Sequence, residues 1–124
     1  MCYYDITKGG NAMSIAGDLI RGHTDAIILA RLMKGDSYGY EINKIISTLS
    51  GGRFELKEAT LYTAFKRLEE QGCIASYWGD SGAGARRRYY TITPVGREAC
   101  HRLLLEWAET KEIMDQLLQT EEAS

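Results

Sequence analysis

The chain has 124 residues, of which 44% are hydrophobic and 26% are charged, a size and balance typical of one globular domain. This composition excludes a disordered, collagen-like or disulfide-rich protein, and no apolar run approaches the ~20 residues that a membrane-spanning helix needs. The first residues lack the basic and apolar segments of a secretory signal, so we expect a cytoplasmic protein that has no membrane partner.

Cysteine and histidine give no sign of a metal or catalytic site. The cysteines Cys2, Cys73 and Cys100 are far apart, and none belongs to a Cys-x-x-Cys pair. His23 and His101 have no acidic or nucleophilic residue at a telling spacing, and the sequence contains no triad, carboxylate pair or phosphate loop. We therefore expect no metal, no cofactor and no enzymatic activity, and we expect Cys73 and Cys100 to be buried thiols.

The net charge of −2 is divided unevenly along the chain. Residues 1–52 are neutral, whereas residues 53–102 carry nine basic against six acidic side chains and residues 103–124 carry one against six. Solvated helix faces could produce such a division. It also suits a protein whose basic middle contacts phosphate.

The first half of the chain predicts three helices. Residues 1–18 are assigned to a poorly ordered lead-in, because residues 1–13 lack hydrophobic periodicity. We predict Ser37 as the N-cap of the second helix, and Gly72 in the left-handed position after the third. The apolar positions at helical spacing predict helices over residues 23–34, 38–49 and 57–71, with a short extended bridge over 53–56.

After Gly72 the pattern changes to the period of two that is typical of strands. One strand runs towards Trp78, which we interpret as a packing residue, and a second covers residues 86–92. The glycine-rich residues 79–85 predict the turn between them. Thr93-Pro94 then begins a long helix over residues 94–119, before a tail at 120–124. Its apolar seam predicts contact with a partner subunit and comprises Cys100, Leu103, Trp107, Thr110, Met114 and Leu117.

This order of elements predicts a mainly α, α+β fold: a winged helix-turn-helix domain over residues 19–93 with a C-terminal dimerisation helix. A DNA-reading helix needs one face that packs in the core and an outer face of short polar or basic side chains. The third helix has both. We expect the following residues in or over the DNA groove: Thr60, Tyr62, Thr63, Lys66 and Arg67. A solvated amphipathic surface helix is the alternative for this segment.

Three consecutive arginines, Arg86, Arg87 and Arg88, begin the second strand. Side chains alternate along a strand, so Arg87 points opposite to the other two. Because phosphate neutralisation supplies most of the affinity for DNA, we assign all three to the wing contact. They could instead protect an exposed edge strand against aggregation.

Three segments resemble the signature motifs of the PadR-like family of transcriptional regulators. They are residues 37–42 (SYGYEI), 58–69 (EATLYTAFKRLE) and 86–93 (RRRYYTIT), and the resemblance extends over residues 19–118. It implies a two-fold homodimer, joined through the first and last helices, on a pseudo-palindromic double-stranded operator with half-sites ~34 Å apart. It also implies that Tyr38 and Tyr40 hydrogen-bond phosphates.

The short C-terminal helix is similar to that of multidrug-binding repressors in the same family. In that subgroup, planar aromatic ligands stack between two copies of a tryptophan at the dimer interface, and Trp107 stands at this position. The resemblance places Leu19, Ala26 and Ala30 on the pocket wall. Lys111 stands where the subgroup has an acidic residue, so the resemblance gives no basis for a preference for cationic ligands. Alternatively, Trp107 fills the dimer seam as an ordinary interface residue.

These observations predict a DNA-binding transcriptional repressor that acts as a homodimer and is released from its operator by planar aromatic or multidrug ligands. The alternative is a winged-helix module that binds a protein partner through its hairpin and binds neither DNA nor small molecules. The arginine cluster favours DNA, because a protein-binding hairpin has no need of it.

Overall fold

A computed structural model describes residues 13–80 and 86–120, and within these segments five helices and three strands are present. The strands form one antiparallel sheet in the order β1-β3-β2. The predicted class, a mostly helical winged helix-turn-helix with a long last helix, is confirmed. In chain order the elements are α1 (Met13–Arg21), α2 (Thr24–Leu32), β1 (Ser37–Tyr38), α3 (Gly39–Leu49), α4 (Glu58–Glu70), β2 (Ile74–Asp80), β3 (Arg86–Ile92) and α5 (Pro94–Leu117).

The core lies between α2, α3, α4 and the sheet, and the first turns of α5 close one side of it. The predicted inner face of α4 is buried throughout, and the ring of Phe65 stacks on that of Tyr90 with centroids 4.0 Å apart. Cys73 and Cys100 are buried as predicted, and burial raises the pKa of the Cys100 thiol. The fully buried larger side chains are Ile28, Leu29, Leu32, Ile42, Leu56, Leu61, Phe65, Leu68 and Cys100.

The predicted bridge between α3 and α4 contributes to the core. Phe54 and Leu56 are both buried. Asn43 on α3 holds this bridge, because its side-chain nitrogen donates to the Leu56 carbonyl (2.6 Å) and its oxygen accepts from the Leu56 amide (2.8 Å). The bridge therefore fixes how α4 follows α3.

The sheet differs from the prediction in two places, at strand β1 and at the end of strand β2. Ser37 is not an N-cap: it lies in β1 opposite Tyr90, and its hydroxyl donates to Glu41. Gly79 and Asp80 belong to β2, where they pair with Arg87 and Arg86, so the predicted turn begins two residues too early. The other residues of that turn, 81–85, lie outside the described residues.

The helices also show where local patterns were insufficient. Helix α1 begins within the segment that we assigned to a poorly ordered lead-in and covers its residues 13–18, whereas residues 1–12 lie outside the described part. The predicted second and third helices are each a residue or two too long at their ends, whereas Gly72 has the predicted left-handed backbone, with φ of +78°.

Helix α5 begins as predicted and then leaves the body of the domain. The Thr93 hydroxyl accepts a hydrogen bond from the Gly96 amide (3.0 Å), which confirms it as the N-cap. With 24 residues the helix is about 36 Å long. Every described residue after Leu103, up to Thr120, is exposed, including the acidic Glu106, Glu109, Glu112 and Asp115.

Candidate nucleic-acid interface

The outer face of α4 carries four of the predicted DNA-reading side chains. Tyr62, Thr63 and Lys66 are exposed and Thr60 is half-buried, because their opposite neighbours on the helix are fixed in the core. The Tyr62 ring packs edge-on against Phe65, with centroids 5.4 Å apart. This contact orients the Tyr62 hydroxyl towards the start of α3.

Arg67, the fifth predicted residue of this helix, is in an ion pair. Its Nη2 and Nε donate to the two carboxylate oxygens of Asp25 on α2, at 2.5 Å and 3.3 Å. This hydrogen bonding is the main cause of the raised pKa of Arg67. The guanidinium is therefore directed by a tertiary contact, which joins residues 42 positions apart and leaves no local signal in the sequence.

The start of α3 meets the wing at Tyr38. The Arg87 guanidinium lies 4.5 Å from the centre of the Tyr38 ring, and its Nη1 donates to the Tyr38 hydroxyl at 3.1 Å. Tyr40 is 71% exposed beside this pair. A cavity of about 270 Å³ at this point brings together six residues of β1, α3, α4 and the wing: Tyr38, Gly39, Tyr40, Tyr62, Arg87 and Arg88.

Arg86 and Arg88 lie on the opposite face of the hairpin from Arg87, as the strand period predicts. Trp78 is 56% exposed, and the Arg86 and Arg88 guanidiniums lie 5.4 Å and 6.0 Å from the centre of its ring. Arg88 also lies 3.7 Å from a Glu69 carboxylate oxygen. Trp78 therefore serves as a platform for the two arginines, in accordance with its predicted packing role.

A tyrosine cluster behind Arg87 was missed by the sequence analysis. The Tyr89 ring stacks on Tyr77 and meets Tyr38 edge-on, with centroids 5.6 Å and 5.3 Å apart. The Tyr77 hydroxyl donates to Asp36 at 2.7 Å, and this hydrogen bond is the main cause of the raised pKa of Tyr77. The alternation of β3 places Tyr89 on the face of Arg87, so the strand pattern contained a usable signal.

The second predicted site, on α1, α2 and α5, is a largely apolar groove of about 610 Å³. Leu19, Ala26, Ala30 and Trp107 all line it, but Lys111 does not. The sequence analysis assigned no role to His23, whose ring meets the Trp107 ring edge-on with centroids 5.0 Å apart. The remaining lining residues are Ile20, Ile27, Leu103, Leu104, Thr110 and Met114.

None of the helices in the described segments is both long enough and apolar enough to span a membrane. Among the same residues, no group of three or more acidic, cysteine or histidine side chains is arranged to hold a metal ion.

Known proteins share this arrangement of elements. The chain resembles a transcriptional regulator from Clostridium thermocellum, with 45% identity and a TM-score of 0.75 over 82% of this chain and 96% of that one. It also resembles a PadR family transcription regulator from Clostridium difficile, with 38% identity and a TM-score of 0.68 over 78% of this chain and 99% of that one.

A curated relative is a negative regulator of transcription. The negative transcriptional regulator PadR of Bacillus subtilis is 28% identical over 63% of this chain, which spans 43% of that protein. The family described as "Transcriptional regulator PadR-like family" matches residues 28–102, from the middle of α2 into α5. Its members are DNA-binding transcriptional repressors rather than enzymes. The chain belongs to the PadR-like family of transcriptional regulators.

Proposed function

We propose that the chain is a cytoplasmic homodimer that represses transcription by binding a pseudo-palindromic site on duplex DNA. Helix α4 enters the major groove with Thr60, Tyr62, Thr63 and Lys66, and the hairpin lies against the neighbouring backbone. The supporting observation is that Arg87, Tyr38 and Tyr40 surround one cavity beside α4. Arginine and tyrosine are suited to phosphate oxygens, and a groove-reading helix needs such contacts beside it.

The homodimer is supported by the apolar face that α5 leaves exposed. Trp107 and Met114 are more than 40% exposed in the single chain, although they continue the seam that starts at the buried Cys100. Leu19 on α1 is 73% exposed at the opposite wall of the same groove. A second copy related by a two-fold axis would cover both walls and would turn the groove into a closed pocket.

The wing arginines provide the test of DNA binding. Replacing Arg86, Arg87 and Arg88 together with alanine is expected to weaken binding to every duplex sequence and to flatten its salt dependence, because counterion release is lost. Gel shifts and fluorescence anisotropy with DNA from upstream of the chain's own coding region measure both effects. Arg97→Ala on α5 is the control for loss of a positive charge outside the wing.

Two outcomes would contradict this proposal. If the triple variant kept the wild-type affinity for DNA and the wild-type salt slope, the wing would not be part of the DNA interface. A wild-type protein that binds no duplex, but captures a partner chain through its hairpin, would favour the protein-interaction module instead.

We further propose that planar aromatic molecules bind in the apolar groove and release the DNA. Trp107 offers a ring surface there, and its contact with His23 supports that ring on the groove wall. Lys111 lies outside the lining, and the residues that line the groove include no aspartate, glutamate, lysine or arginine. We therefore expect ring area rather than ligand charge to determine affinity.

Tryptophan fluorescence tests this ligand proposal directly. The chain has two tryptophans, so Trp78→Phe leaves Trp107 as the only reporter. A planar DNA-stain dye is expected to quench that variant, and the same dye is expected to leave Trp107→Ala unquenched. Quenching that persists in Trp107→Ala would place the dye near Trp78 and contradict the assignment.

A further inference from the structure

A second groove on the DNA-facing side of α4 contains an arginine outside the sequence-predicted interface. This groove, of about 360 Å³, lies between α4 and the junction of α1 with α2. Arg21 and Arg67 stand on its two sides. The other lining residues are Thr24, Ala59, Thr60 and Thr63.

The junction of α1 and α2 holds Arg21 in place. The Thr24 side chain is 5% exposed, and its hydroxyl donates to the Arg21 carbonyl at 2.7 Å. The His23 amide donates to the Ile20 carbonyl at 2.8 Å, which closes the turn between the helices. The first bond fixes the Arg21 carbonyl and the second fixes the turn around it, so the Arg21 side chain leaves from a defined position.

Each of the two arginines forms an ion pair with an aspartate that lies outside the groove. Arg21 pairs with Asp18 one turn earlier in α1, and Arg67 pairs with Asp25 through two of its nitrogens. Neither aspartate lines the groove, whereas both arginines do. An arginine held in this way keeps further N–H donors for another anion and loses less side-chain entropy when it binds one.

The α4 side of the groove is part of the proposed DNA-reading surface. Thr60, Thr63 and Arg67 follow one another at three- and four-residue spacing and so share a face of the helix. Hydroxyls and guanidiniums are among the side-chain groups that contact phosphate oxygens in protein–DNA interfaces. An anion in the groove would therefore be held from the α1–α2 junction and from α4 at the same time.

We propose that this groove binds one backbone phosphate of duplex DNA in each half-site, and that Arg21 is a DNA-contacting residue. This inference rests on the proposed function, since it assumes that α4 lies in the major groove. It extends the interface from α4 and the wing to the end of α1. Arg21 thereby anchors the side of α4 opposite to Tyr38 and Arg87.

The test compares three substitutions in fluorescence anisotropy at several salt concentrations. Arg21→Gln is expected to bind about tenfold more weakly to whichever duplex from the upstream DNA the wild-type protein binds most tightly. It is also expected to reduce the slope of log K against log salt by about one per protomer. Arg21→Lys keeps the charge and is expected to keep the slope while losing part of the affinity. Arg102→Gln, an exposed arginine on α5, removes the same charge outside this groove and is expected to bind as wild type does.

A set of duplexes with single neutral methylphosphonates identifies the phosphate itself. At one position in each half-site, the neutral substitution is expected to weaken DNA binding by the wild-type protein and to leave binding by Arg21→Gln unchanged. Thermal unfolding in the presence of inorganic phosphate tests whether a free anion occupies the groove instead. If phosphate raises the Tm of the wild-type protein but not that of Arg21→Gln, and the variant binds DNA as tightly as the wild type, the groove is a small-anion site and the proposal is overturned.

The failure of this inference is distinguishable from failure of the proposed function. A wild-type salt slope in Arg21→Gln, with a reduced slope in the wing triple variant, would refute the groove and retain the DNA-binding wing. A wild-type protein that binds no duplex at all would refute both.

Discussion

Gly96 lies where the first turn of α5 crosses the beginning of the hairpin. It is buried, and a Cβ at this position would overlap the carbonyl oxygen of Cys73. That carbonyl already accepts from the Thr93 amide at 2.9 Å, and the Thr93 hydroxyl donates to the Gly72 carbonyl at 2.6 Å. A backbone held by these bonds cannot move aside at low cost, so the close approach requires glycine.

We therefore expect Gly96→Ala to destabilise the domain by about 1–3 kcal/mol, the usual range for overpacking a core. Thermal unfolding measured by circular dichroism should show a clear fall in Tm. Gly22→Ala is the matched control, since its Cβ would lie 3.4 Å from the Leu19 carbonyl oxygen and meets no closer neighbour. Equal Tm changes in the two variants would contradict this role for Gly96.

At the level of elements, the predictions succeeded where periodicity and capping agreed. Helix α4 has four apolar residues at one helical spacing followed by Gly72, and both features correspond to the structure. The N-cap of α5 was predictable because Thr93-Pro94 is a strong local signal. Helix α1 was not predicted, because its nine residues are fewer than the window of about 11–18 residues over which a helical period is read.

Strand β1 and the two grooves depend on contacts between distant residues. Ser37 pairs with Tyr90, 53 residues later, and a two-residue strand has no pattern of its own. The Arg67–Asp25 pair likewise joins α4 to α2. The residues that make up the proposed DNA-reading face could thus be read from the sequence. The direction in which each arginine or lysine side chain points could not.

Considered as a whole, the chain divides into a packed domain and one projecting helix. Helix α5 makes contact with α2 near its start, and its later residues are exposed. Helix α2 carries Ala26 and Ala30 on the groove side and Asp25 on the side of Arg67. A ligand that displaced α2 would therefore act on both surfaces, and DNA would affect ligand affinity by the same factor.

The proposed dimer predicts a specific effect at Met114, which lines the groove and is 43% exposed. Met114→Glu would place a carboxylate in an apolar interface and remove a buried side chain worth about 1.5–3 kcal/mol. We expect a dimer dissociation constant at least about tenfold higher, measured by sedimentation equilibrium, with a parallel loss of DNA affinity. Leu105→Glu, on the opposite face of α5, is the control. A Met114→Glu protein that remains dimeric at wild-type concentrations would contradict this interface.

The acidic residues along the exposed part of α5 give the molecule an electrical polarity. Arg86, Arg87 and Arg88 lie at the hairpin, whereas Glu106, Glu109, Glu112 and Asp115 outnumber Lys111 on the exposed part of the last helix. In the field of a duplex, the proposed DNA-binding protein would experience a torque that turns the hairpin inward and the helix outward before contact is made. Encounters would then begin in the productive orientation, and a rise in ionic strength would slow capture as well as weaken the final complex.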